Sequence, residues 1–158
     1  MAASSRTGMA SDLGLLVARI LLGAIFAAHG YQKLVTFGLA GATESFRGMG
    51  VPAPEIAAPV VAIVELVGGI ALIAGAFTGI VGLLLAIDML VAALLVHLPQ
   101  GVFIDAGGWE LVGALGAGAL ALAAVGAGRF SLDGLRRGGR GSRSRAASHA
   151  ASTPAVSA

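Results

Sequence analysis

The sequence predicts an all-α membrane protein, a four-transmembrane-helix bundle with a short interfacial segment between helices 1 and 2. Three observations predict it. Hydrophobic residues make up 57% of the 158 and charged residues 11%, with a mean hydropathy of +0.92, against about 25% charged in soluble domains. Four apolar runs have spanning length. Three of those runs each carry an ionisable side chain near the middle, Arg19, Glu65 and Asp88. Such a group costs roughly 2.5–3.5 kcal/mol at the bilayer centre and is kept there for a partner or a job. The pattern therefore predicts a bundle with a polar interior.

The four runs follow in order, each measured against the about 20 apolar residues that a span needs. Leu13 to Ala28 is apolar apart from Arg19, and the character continues through Leu34 and Val35. Arg6 ahead of this stretch imitates a signal peptide, but an arginine within the apolar region and three further spans argue against cleavage. Ile56 to Phe77 carries only Glu65, and Gly79 to Leu98 carries Asp88 with His97 at its end. Leu111 to Ala127 has no charge at all. Between the first two runs, Phe37, Leu39, Phe46 and Met49 stand among polar residues. That mixture suits a short helix lying in the membrane interface, either a connector shielding the bundle or a lid over an outward-facing pocket. Gly48, Gly50, Pro52 and Pro54 then break it.

The chain divides into an N-terminal segment (1–12), the transmembrane domain (13–135) and a tail (136–158). The tail holds Arg136, Arg137, Arg140, Arg143 and Arg145, five of the ten basic residues. Its composition cannot bury a core and predicts disorder. The positive-inside rule assigns this tail to the cytoplasm, so four spans give an N-in, C-in topology. The arginines have affinity for anionic lipid headgroups; the expected partner is the lipid bilayer, with no nucleic acid. The chain has no cysteine, hence no disulfide, dithiol centre or thiolate metal site.

Two polar groups stand out. Glu65 and Asp88 lie at the middles of antiparallel neighbouring spans joined by the Phe77-Thr78-Gly79 turn, which puts their carboxyls at one depth. The long side chain of Arg19 is expected to reach them, forming an Arg19–Glu65 ion pair and leaving one acid protonated. Glu65 is the candidate proton relay and Asp88 a second catalytic candidate; the alternative is a structural network fixing helix register. Nearer the outer surface, His29 and Lys33 stand four apart on one helix face. His97 and Glu110 fall at about the same level. These four are candidate cofactor-binding residues, or else interfacial side chains reaching for water. Arg19, Gly23, Phe26, Gly30 and Lys33 follow a 4-3-4-3 spacing and form one bundle-facing stripe. Gly68, Gly69, Gly75, Gly113, Gly116 and Gly118 read as close-packing positions. A haem between His29 and His97, or a metal among His29, His97 and Glu110, has no signature to support it, so no metal or haem is expected.

Arg19 followed by His29-Gly30-x-x-Lys33 resembles the opening of the DoxX family pattern. Gly50-x-Pro52-x-Pro54, Glu65-x-x-Gly68-Gly69-x-x-Leu72-x-x-x-Ala76, Gly108-x-Glu110 and Gly126-x-Gly128-x-x-Ser131-x-Asp133 continue it. The resemblance covers about residues 13–135 and rests on the order of the pieces rather than on any one. It implies a four-helix bundle in the bacterial inner membrane. It also implies kinship with subunits of thiosulfate:quinone oxidoreductase and with membrane tethers for superoxide dismutase and a sulfurtransferase in oxidative and thiol stress. Three functions follow as expectations: a quinone-side subunit of a membrane oxidoreductase, a non-catalytic anchor or assembly factor for soluble redox enzymes, and a small proton-coupled transporter. The chain is expected to be catalytically incomplete alone, and a homo-oligomer is compatible with all three.

Overall fold

The computed structural model describes residues 3–136; of the expected tail, residues 137–158 lie outside the described residues. The apolar runs fold as helices because a backbone in lipid must satisfy its own N–H and C=O groups. In chain order the helices are α1 (Ala3–Tyr31), α2 (Gly38–Gly48), α3 (Pro54–Ala74), α4 (Thr78–Ala92) and α5 (Glu110–Val125). The all-α membrane bundle is therefore the observed fold, with α2 as the short segment between the first two long helices. Three helical stretches are long and apolar enough to cross a membrane: Gly8–Thr36, Pro54–Ala74 and Thr78–Gln100. α5, at 16 residues, is a shorter apolar helix. Residues 3–12, expected as a separate segment, are the first turns of α1.

Glycines set the helix pairing. A Cβ on Gly23 would stand 2.5 Å from the Gly69 carbonyl oxygen, and one on Gly30 would stand 2.3 Å from the Leu66 nitrogen. α1 and α3 thus touch backbone to backbone, the close approach that small residues permit in lipid. α4 and α5 meet in the same way at Gly82, whose Cβ would lie 2.7 Å from the Ala119 oxygen. Between these two pairs lies the core of Phe26, Leu72, Leu85, Met89, Val112, Leu115 and Leu122.

The end of the bundle nearest the chain termini is tied by two side chains. Arg19 is fully buried and donates to the carbonyls of Leu72 (3.3 Å), Ile73 (3.5 Å) and Phe130 (2.5 Å). Its charge thereby meets the last turn of α3, where unpaired carbonyls favour a cation. Asp133 accepts from the backbone N–H groups of Phe77 and Thr78, both at 2.9 Å. It caps α4 from 55 residues further along the chain, a role usually taken by the residue just before the helix. Phe77, forced into the left-handed region at φ 51°, is held there by that bond.

Candidate ligand cavity

α1 and α4 do not end where their regular turns stop. Each continues in one π-helical turn, Gln32–Thr36 and Ala93–His97, and both turns lie at the loop end of the bundle. Wide turns of this kind are rare and recur at functional sites. Here they deliver Lys33 and His97 to one cavity of about 300 Å³.

The cavity sits between the α1–α3 and α4–α5 pairs. Its walls are mostly apolar, with Phe26, Met89, Val112 and Leu115 at the inner end. Phe46, Met49 and Val51, from α2 and the turn after it, line it toward the loop end, with Ile104, Gly107 and Gly108 of the α4–α5 connection. Its polar lining is His29, Lys33, Glu65, Asp88 and His97. Five of the seven polar residues read from the sequence as two groups thus meet at one chamber, while Arg19 and Glu110 do not line it.

Lys33 Nζ lies 2.5 Å from Glu65 Oε2, with 5% of the glutamate side chain exposed. This corrects the expected Arg19–Glu65 pair. Helical side chains lean toward the N-terminus of their own helix. Lys33 on α1 and Glu65 on the antiparallel α3 therefore lean toward each other, while Arg19 and Glu65 lean apart. The Gly30–Leu66 contact fixes the register that puts Lys33 within reach, and Arg19 spends its donors on carbonyls instead. Asp88 is half-buried, and its Oδ2 is buried with no hydrogen-bond partner among the described residues.

The remaining candidates divide. His29 lines the cavity but is largely exposed on its outer side. His97 lines it as well, its Nδ1 2.7 Å from the Gly107 carbonyl oxygen, which ties the end of α4 to the connecting loop. Glu110 does not line the cavity; its Oε1 accepts from the Ile104 N–H at 2.6 Å and shapes that loop. Arg47 on α2 bonds Glu44 on its own helix and Glu55 at the start of α3, the latter at 2.5 Å, so α2 is clamped over the cavity. Sequence reasoning missed the wall residues Val61, Val91, Ala92 and Leu95. Val61 stands four residues from Glu65, and Val91, Ala92 and Leu95 stand three, four and seven from Asp88, which puts them on the same helix faces, and that spacing was the available signal.

Cavity and fold together define a class: a small helical membrane protein enclosing an apolar chamber with an ion pair and a free carboxyl inside it. The DoxX family profile matches residues 14–98, and the chain belongs to that family. It is 33% identical over 124 residues to the inner membrane protein YqjF of Escherichia coli (strain K12), covering 78% of this chain and 92% of the relative. It is 32% identical over 132 residues to the inner membrane protein YphA of the same organism, covering 80% and 92%. It is also 36% identical over 87 residues to a Bacillus subtilis (strain 168) protein named "Putative oxidoreductase CatD", a match spanning 55% of this chain and 62% of that relative. No solved structure matches the chain at a significant level.

Proposed function

We propose that this chain is the quinone-binding subunit of a membrane oxidoreductase system, set N-in and C-in in a bacterial inner membrane. The carrying observation is the cavity, with its apolar walls and its Lys33–Glu65–Asp88 group. A quinone is a ring with an apolar tail and two polar oxygens. Its site needs an apolar slot, a few convergent polar groups and a route for protons. The cavity volume is at the small end of the about 300–1,000 Å³ range of ligand pockets, which suits one substituted ring with its tail leaving between helices. The donor set fits as well: Lys33 has three N–H donors and spends one on Glu65, and the free Asp88 oxygen awaits a partner.

When bound, a quinone supplies two-electron chemistry coupled to protons. The chain's own residues position the ring and carry protons. Lys33 orients an oxygen, Glu65 holds the ammonium in place and relays protons toward it, and His29 and His97 stand between the chamber and its exterior. Because the chain has no cysteine, sulfur chemistry at a thiol belongs to a soluble partner, of which a sulfurtransferase or a superoxide dismutase is the kind the family resemblance suggests. The similarity to a relative named as an oxidoreductase supports the redox reading.

The test is organic extraction of gently purified protein, with quinone quantified by mass spectrometry. Near-stoichiometric quinone that is lost in a Lys33→Ala variant supports the reading. Quinone no higher than in the surrounding lipid, with a soluble redox enzyme co-purifying, replaces it by the anchor reading. Proton-driven uptake into liposomes that depends on Glu65 replaces it by the transporter reading.

A further inference from the structure

Among the buried polar atoms of the cavity lining, one has no partner among the described residues. Glu65 is engaged by Lys33 and His97 bonds the Gly107 carbonyl. Asp88 faces the same chamber from α4, yet its Oδ2 is buried without any hydrogen-bond partner. A buried polar atom without a partner is costly, and native proteins rarely keep one. The apolar wall of the chamber, Met89 and Leu115 among it, carries no donor to offer. A donor presented by a ligand in the chamber is placed to satisfy it.

We propose that Asp88 is the specificity-determining residue of the cavity, and that it selects a hydroxylated ring over the same ring carrying carbonyls. The inference rests on the reading that the chamber holds a quinone-type ring, and adds which form it prefers. A hydroxyl both donates and accepts. It satisfies Asp88 whether the carboxyl is ionised, when it only accepts, or protonated, when it also donates. A carbonyl oxygen only accepts, so it leaves an ionised Asp88 unsatisfied and must draw on the protonated form. An inorganic oxyanion fits worst: the one lysine in the chamber is already paired with Glu65, and Asp88 sets a second carboxyl in the same lining. The reduced, quinol form with one oxygen at Lys33 and the other at Asp88 is the ligand that gives the buried Asp88 oxygen a donor.

The experiment uses the full chain in lipid nanodiscs and measures equilibrium binding of a decyl-substituted benzoquinone, its quinol, and thiosulfate, by calorimetry under anaerobic conditions. The expected result is at least about tenfold tighter binding of the quinol than of the quinone, the size of effect an unsatisfied buried acceptor produces, and no saturable thiosulfate binding. In Asp88→Asn the amide donates as well as accepts, so the ratio falls to about twofold or less while both forms still bind. Equal binding of the two forms to the unaltered chain overturns the inference and leaves the quinone reading standing. Binding of neither form overturns the quinone reading and this inference with it. Should Asp88→Asn fail to fold, the ratio measured on the unaltered chain decides alone.

Discussion

Lys33 and Glu65 form an ion pair inside the bundle, on adjacent helices and at the wall of the chamber. The pair joins the π-helical end of α1 to the middle of α3 in a mostly apolar chamber wall that also carries His29, Asp88 and His97. Removing one member leaves an uncompensated buried charge, which costs about 3–5 kcal/mol, whereas replacing both by apolar residues is often neutral. Lys33→Ala is therefore expected to lower the thermal unfolding midpoint in detergent sharply. The double replacement Lys33→Met with Glu65→Leu is expected to recover most of the loss and still bind no quinone. A double variant as unstable as the single one would show that packing, not charge, sets the cost.

Gly30 and Gly69 hold α1 against α3. A Cβ at Gly69 would lie 2.4 Å from the Ala27 nitrogen, and none of its near neighbours is a flexible side chain. Gly30→Ala and Gly69→Ala are each expected to cost about 1–3 kcal/mol by forcing the helices apart. Gly14→Ala, in the same helix with nothing within 4 Å, is the control and is expected to be neutral or slightly stabilising. Unfolding curves of the three variants in one detergent check this.

Arg19 needs its planar fork. Its Nη1 reaches two carbonyls of α3 and its Nη2 a third in the segment after α5. A lysine offers one compact ammonium and cannot serve all three. Arg19→Lys is expected to cost about 2–3 kcal/mol and to raise hydrogen exchange of residues 126–136 before that of α4. Gly75→Ala is expected to behave similarly. A Cβ there would collide with Arg19 Nη1, and Gly75 has φ +66°.

Asp133 gives the bundle an acid-sensitive tie. Partial burial opposes its ionisation, but the N–H groups of Thr78 and Phe77 outweigh that and hold its carboxyl below the usual range. A lowered native value means that the tie contributes fully above the unfolded value, near 3.9, and is withdrawn as pH falls through the native one. Exchange of the Phe77 and Thr78 amides is therefore expected to accelerate below about pH 4. In Asp133→Asn that acid-side step disappears, and the amides are less protected at neutral pH. An unchanged profile would remove Asp133 from the account.

The clamp on α2 is expected to act on rates more than on stability. Arg47, Glu44 and Glu55 are all exposed, and exposed pairs are screened by salt. Arg47→Ala should leave the unfolding midpoint nearly unchanged and speed ligand exchange, an effect that high salt reproduces in the unaltered chain. Stopped-flow release of a bound quinone measures it.

The helices were legible because lipid imposes a simple rule. A run of about 20 apolar residues has few alternatives to a helix; Ile56 and Gly79 open runs whose helices begin within two residues of them, while the helix of the Leu13 run begins ten residues earlier, at Ala3. The glycine positions were legible as contacts, and the stripe from Arg19 to Lys33 does face the bundle. The partner of Glu65 was not. Depth counted along separate helices ignores both the direction in which side chains lean and the register that Gly30 imposes, and these two effects exchange Arg19 for Lys33. The π-helical turns left no hydropathy signal, because an extra residue in a turn changes the face and not the composition. Asp133 is a similar case: its motif was visible, but capping α4 from beyond α5 depends on three-dimensional proximity.

The ties at Arg19 and Asp133 give the molecule a fulcrum. Three stretches of chain, the last turn of α3, the start of α4 and the segment after α5, are gripped there by two side chains, while the chamber lies at the opposite end. A hinge at one extremity converts a small angular change into the largest linear displacement at the other. Over a lever of about 15 residues at 1.5 Å each, a tilt of a few degrees between the two glycine-sealed pairs widens the mouth by one to two ångströms, roughly the clearance a flat ring needs. On the proposed quinone reading, leverage of that kind is expected to let residues far from the chamber set how fast a ring enters, without altering how tightly it is held.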